Sequence, residues 1–144
     1  MLGEETFRQA YHTYIRDWAY RHPKPWDFFN TFSRVSGQDL DWYWRTWYYE
    51  TWTLDQRVKD VRLVPEGIRV VVEDLGLAPM PARLTLTTAD GQTIKAEIGV
   101  DAWLAGAREA DIVVRTTSPV IKVEIDAERV FPDTDRRNNV WERT

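Results

Sequence analysis

The residues from Leu40 to Trp52, reading LDWYWRTWYYETW, hold four of the chain's eight tryptophans and three of its six tyrosines. A short helix cannot bury that much ring area against itself, so any fold adopted here must provide a large apolar partner surface. Behind an N-cap candidate, Asp39, the residues Leu40, Tyr43, Trp44, Trp47, Tyr48 and Thr51 recur at helical spacing and predict one broad apolar stripe. Trp42 and Tyr49 lie off that stripe, beside Arg45 and Glu50. A second face of the same helix is therefore partly apolar, and the helix is expected to be gripped from two sides.

Two more helices are predicted ahead of it. Phe7, Ala10, Tyr11, Tyr14, Ile15, Trp18 and Ala19 follow the i, i+3, i+4 pattern from Glu4 or Glu5 onward. The glutamates suit a helix start, Arg21 and His22 suit its end, and Pro23 and Pro25 stop the run. The second helix is predicted to begin with Pro25 in its first turn, to carry Phe28, Phe29, Phe32 and Val35, and to end at Ser36-Gly37. Short links make the three helices neighbours, which gives a helical subdomain over residues 1–54.

After Trp52 the hydrophobic period changes from helical to alternating. Strands are predicted at Arg57–Val64, Ile68–Asp74, Ala82–Thr88, Thr93–Gly99, Asp111–Thr116 and Val120–Asp126, with Val100–Trp103 as a further edge strand whose Trp103 plugs one end of the core. Turn signals at Pro65-Glu66-Gly67, Ala89-Asp90-Gly91-Gln92 and Ser118-Pro119 separate them. Six or seven short strands without intervening helices predict a small antiparallel β-sandwich, Ig- or fibronectin-like, over residues 55–131. The polar stretch 132–144 is a tail whose Val140 and Trp141 can fold back. The fold class is α+β.

A net charge of -4 and the lack of any block of five or more like charges argue against a nucleic-acid or anionic-membrane surface. The chain has no cysteine, which excludes disulfides, thiolate metal sites and cysteine nucleophiles and leaves the compartment open. No apolar run is long enough for a membrane span, and no leader pattern opens the sequence. The opening Met1-Leu2-Gly3-Glu4-Glu5 runs almost at once into a helix, as a chain cut at a helix boundary would.

The residue types that carry chemistry are sparse. His12 and His22 are ten positions apart, about 15 Å along a helix axis, too far to share a zinc ion. Ser33, Ser36 and Ser118 sit on no nucleophile elbow. Asp39 with Asp41 and Asp133 with Asp135 read as cap and turn carboxylates. The series Asp133, Asp135 and Asn138 lacks the glycine and the distal acid of a calcium loop. No catalytic, cofactor-binding or metal residue is assigned to this chain. The aromatic residues lie at burial spacing on helices, so they predict packing before ligand stacking. The alternative is an independent carbohydrate- or peptide-binding β-sandwich module with a helical brace.

The helical residues carry a likeness. Leu2-Gly3-Glu4-Glu5-Thr6-Phe7, Tyr14, His22-Pro23-Lys24-Pro25-Trp26-Asp27-Phe28-Phe29, the run from Val35 through Ser36-Gly37-Gln38-Asp39-Leu40-Asp41 to Trp44, and Trp47 together resemble the helical segment that ends the catalytic region of the M1 family of zinc aminopeptidases, the gluzincins. The Asp90-Gly91 turn, Trp103, Ile125-Asp126 and the tail with Pro132-Asp133, Asp135, Asn138-Asn139 and Trp141 are similar to the β domain appended in bacterial members. The likeness spans essentially the whole chain. It implies a parent metallopeptidase in which two histidines of a His-Glu-x-x-His helix and a further glutamate hold zinc, the box glutamate activates water and a tyrosine stabilises the tetrahedral intermediate. None of those residues maps onto this chain, and the family's catalytic tyrosine lies just ahead of the Leu-Gly-Glu-Glu run. Tyr11 and Tyr14 belong to the first helix's stripe and take no catalytic role. The resemblance thus implies a non-catalytic C-terminal portion, inactive alone, whose partner is the remainder of the catalytic domain. Zinc and peptide substrate are expected only in the full-length parent. The Leu40–Trp52 helix would face that remainder on one side and seat the sandwich on the other. Uncovered helix faces are expected to drive self-association.

Overall fold

Helix gives way to strand where the hydrophobic period changes. The computed structural model describes residues 1–143, and the chain is of α+β class, with helices followed by two antiparallel sheets. It divides into two units, Met1–Thr51 and Trp52–Thr144.

In the first unit α1 spans Glu4–Trp18 and α2 spans Pro25–Ser36. The ends of α2 follow directly from its sequence. Pro25 occupies the first turn, where its missing N–H costs nothing, and the Asp27 carboxylate accepts the Lys24 backbone N–H at 2.7 Å. Gly37 takes the left-handed conformation, φ 66°, and its N–H donates to the Ser33 carbonyl at 3.0 Å. Phe28, Phe29 and Phe32 then meet α1 and the following segment. Tyr14 contacts Phe28 edge-on at 5.0 Å, Phe7 meets Phe32 at 5.5 Å, and Phe29 stacks on Trp44 at 4.6 Å. Ala10, Phe29, Phe32, Leu40 and Trp44 form the core of the unit, with Phe28 and Tyr43 packed against it.

The third helix departs from expectation. Instead of running from Leu40 to Trp52 it is α-helical only over Asp41–Trp44 (α3) and widens into a π turn over Arg45–Tyr49. That turn closes with the Glu50 N–H on the Arg45 carbonyl at 3.1 Å, five residues back. Asp39 is not the N-cap residue. Leu40 stands there, and the Asp39 carboxylate accepts the Asp41 N–H at 3.0 Å. The wider turn also breaks the stripe read at 3.6-residue spacing. Thr46 goes inside, its hydroxyl donating to the Trp42 carbonyl at 2.7 Å, while Tyr48 and Tyr49 are exposed.

In the second unit β1 is Gln56–Val64, β2 Gly67–Asp74, β3 Ala82–Thr88, β4 Thr93–Ile98, β5 Glu109–Val114, β6 Val120–Ile125 and β7 Val140–Glu142. They form a three-stranded sheet, β1-β2-β5, and a four-stranded sheet, β4-β3-β6-β7. Strict alternation in β2 and β3 puts Ile68, Val70 and Val72 of one sheet, and Ala82, Leu84 and Leu86 of the other, into one shared cluster. At about 25 cal/mol per Å² of apolar area, that cluster is the main stabilising feature of the unit.

Two expectations are corrected here. Val100–Trp103 is no edge strand: Asp101–Leu104 is a single helical turn, α4, in which the Val100 carbonyl accepts from Trp103 at 3.0 Å and Leu104 at 3.1 Å. Trp103 still reaches the core, at 6 % exposure, from that turn. β5 lies two residues earlier than Asp111–Thr116, because the Thr116 hydroxyl is drawn into a local turn with Ser118, donating to its carbonyl and accepting its N–H. Within residues 132–143, Val140 and Trp141 fold back as expected. This stretch supplies β7, whose Trp141 pairs with Val123, and an isolated bridge between Leu54 and Asp133.

Candidate functional site

The side chains weighed for chemistry do not converge. His12 is exposed on α1 and His22 lies exposed beyond its end. Among the described residues no group of three or more His, Asp or Glu side chains is placed to hold a metal ion. Ser33 and Ser36 belong to α2, and Ser118 to the turn before β6. Asp133 and Asp135 each accept a backbone N–H two residues on, at 3.0 and 3.1 Å, as Asx turns do. Tyr14 is held against Phe28, and Tyr11 stacks on Phe7 at 6.1 Å.

Two other arrangements stand out instead. The first is a carboxylate cluster where the tail crosses the ends of β1 and β2. Asp74 is 4 % exposed, its Oδ2 lies 3.3 Å from Arg108 Nη1, and its Oδ1 has no hydrogen-bond partner among the described residues. Burial pushes its carboxyl up to about 6. Arg108 and the Gly76 amide oppose the shift, while Asp55 and Asp133 add to it. The neighbours are engaged structurally: Asp55 Oδ1 accepts from Asn138 Nδ2 at 2.8 Å, and Asp133 Oδ2 accepts the Gln56 N–H at 2.9 Å. The cluster therefore fastens the tail, and its titration is a stability term.

The sign follows from linkage. The folded Asp74 carboxyl holds its proton to about pH 6, whereas an unfolded one releases it near pH 4. Its stabilising contribution is complete below pH 4 and is lost as pH rises through 6. Relative to Asp74→Asn, the wild-type chain should lose roughly 2–3 kcal/mol between about pH 4 and pH 7, read from urea unfolding of both proteins in pH steps. A difference that stays constant over that range would rule out the buried carboxyl as its source.

The second arrangement is apolar and lies in the first unit. α1 carries a wide stripe of which α2 covers only part: Ala10 is buried, but Phe7, Tyr11 and Ile15 are 52, 45 and 49 % exposed at successive i+4 positions. The uncovered row leads to a groove of about 600 Å³ walled by Leu2, Phe7, Phe28, Phe32, Tyr43 and Trp44. The indole N–H groups of Trp44, in its wall, and of Trp47 are buried without an acceptor among the described residues. Large apolar side chains left in a row beside an apolar groove are the chemistry of a packing surface. Periodicity had identified the stripe, but it does not report what covers it.

Trp103 is the residue that would have served a sugar-stacking platform, and its burial removes it from that role. No helix among the described residues is long and apolar enough to cross a membrane. No protein-family model matches the chain, and no curated protein matches it.

Proposed function

We propose that this chain is the C-terminal portion of an M1-like zinc metallopeptidase, in which it is a non-catalytic scaffold and domain-packing element. The parent's activity would be metal-dependent hydrolysis of peptide bonds, of the aminopeptidase kind. The observation that carries the packing role is the uncovered row Phe7, Tyr11 and Ile15 beside its groove, because a helix that ends a larger helical domain leaves such a face for the rest of that domain. The choice of family rests on the residues quoted for the resemblance, above all the phenylalanine pair followed by Ser36-Gly37-Gln38-Asp39-Leu40 and the tryptophans.

The first unit supports a reading as a three-helix subdomain, with the π turn as the end of the third helix. The strand orders support an Ig- or fibronectin-like sandwich for the second. Orders 1-2-5 and 4-3-6-7 match the two sheets of that architecture, with the fourth strand on the sheet of strands three, six and seven. The described residues are not suited to zinc, so the metal of such a parent would be held by residues outside this chain. In the isolated chain the same apolar row is the surface through which copies would associate.

The test is the parent reading frame and its product. It should encode a His-Glu-x-x-His segment with a further glutamate upstream of Met1, and the purified full-length protein should release amino-terminal residues from peptides in a chelator-sensitive way, whereas this chain alone should not. A reading frame without that segment overturns the proposal.

A further inference from the structure

The core of the second unit is open at one end. β1 pairs with β2 so that Val58, Val61 and Leu63 lie opposite Val72, Val70 and Ile68, all three of which are buried. Directly opposed residues share a face, so Leu63 occupies an inward position. It is nonetheless 81 % exposed. Above it is a cleft of about 460 Å³, walled by Val61, Leu63, Ile68, Val120 and Trp141. The turn Thr116 to Pro119 forms one lip, and Arg143, whose N–H donates to the Ile121 carbonyl at 2.9 Å, forms the other. Arg143 is the one charged side chain in this lining, and it makes no ion pair among the described residues.

An inward leucine without a cover marks a place where one more apolar group would complete the core, and the volume is in the range of ligand pockets. A guanidinium without a counter-ion at the lip selects for a carboxylate next to that group. β1 and β7 are both edge strands, which offer unpaired backbone groups to an extended chain. We propose that this cleft binds an extended peptide, which places a leucine-sized side chain over Leu63 and an adjacent carboxylate on Arg143. The carboxylate is either an acidic side chain or a chain terminus. The site lies within the second unit and does not depend on the peptidase reading.

The test is a nuclear magnetic resonance titration of the isotope-labelled chain with acetyl-Gly-Asp-Leu-Asp-Gly-amide. Saturable shifts are expected at the Leu63 and Val120 amides and at the Trp141 indole, with acetyl-Gly-Lys-Leu-Lys-Gly-amide binding about tenfold more weakly or less. Arg143→Glu should reverse the preference between the two peptides. Leu63→Gln should weaken binding about tenfold while leaving the thermal midpoint in place, since an exposed side chain contributes little to folding. Tighter binding of the free acid acetyl-Gly-Gly-Gly-Leu would assign the carboxylate to a chain terminus, and weaker binding would assign it to an acidic side chain. The proposal is overturned if no peptide shifts these resonances saturably at millimolar concentration, or if the acidic and basic peptides bind alike.

Discussion

Replacing Asp126 with alanine is expected to destabilise the second unit by about 3–5 kcal/mol, the cost of removing one partner from a buried charged pair. Asp126 directly follows β6 and is buried, and its carboxylate has three donors: the N–H groups of Val130 at 3.0 Å and Phe131 at 2.8 Å, and Arg136 Nη1 at 2.9 Å. Arg136 also donates to the Phe131 carbonyl. The residue sits at φ 48°, a left-handed conformation that Asp and Asn tolerate better than Ala. Alanine therefore leaves two backbone donors unsatisfied and the half-buried guanidinium without its counter-charge, and it adds backbone strain. Asp126→Asn keeps the conformational tolerance and one acceptor oxygen, and should cost roughly half as much. Urea unfolding of the three proteins checks both values, and an alanine variant within about 1 kcal/mol of wild type would contradict this account.

Gly76→Ala is expected to cost about 3 kcal/mol or more. A Cβ there would come 2.1 Å from the Thr53 carbonyl oxygen and 2.9 Å from the Asp55 nitrogen, and both are backbone atoms that cannot swing aside. The close approach is fixed by a local ladder. Leu75 and Gly76 donate to the Asp55 carbonyl at 2.7 and 3.2 Å, and Leu77 and Ala78 donate to the Thr53 carbonyl at 3.0 and 3.1 Å. A methyl group forced between the two segments breaks several of these bonds together. Gly99→Ala is the control. Its Cβ meets nothing within 4 Å, so the change should stay within about 0.5 kcal/mol. Equal midpoints for the two variants in thermal unfolding would show that the approach of Thr53 is not constrained.

Local signals gave the boundaries that local chemistry sets. The proline and glycine of α2 and the alternation of β3 act through neighbours a few residues away, and the observed spans Pro25–Ser36 and Ala82–Thr88 coincide with the predicted ones. The π turn left no such mark. Its residues Arg45 to Tyr49 fit an ordinary helix equally well, and one hydrogen bond five residues back moves Thr46 inside and Tyr48 out. Val100–Trp103 read as a strand because Val and Trp favour sheets, whereas the helical turn at Asp101 delivers Trp103 to the same core by another route. Asp74 was invisible for a different reason. Its carboxyl is raised chiefly by burial, with Arg108 opposing and Asp55 and Asp133 adding, and only the folded chain brings these together. Likewise the stripe on α1 was legible as a stripe, while the absence of a cover over Tyr11 and Ile15 is a property of the tertiary arrangement.

The fastening of the tail to the start of β1 also bears on the order in which this protein acquires its structure. The bonds from Gln56 to Asp133 and from Asn138 to Asp55 close loops of 77 and 83 residues. In the first unit the ring contacts join Phe7 to Phe32 and Phe29 to Trp44 over far shorter stretches. Closing a long loop uses up chain entropy before its contacts repay it, and non-local pairing slows folding accordingly. The helical segment can thus organise while the sheets are still searching for their register. The clasp between the two ends of the second unit closes over the longest separations and is expected to form late, whereas the Asp126 site, whose partners lie 4 to 10 residues away, needs no such closure.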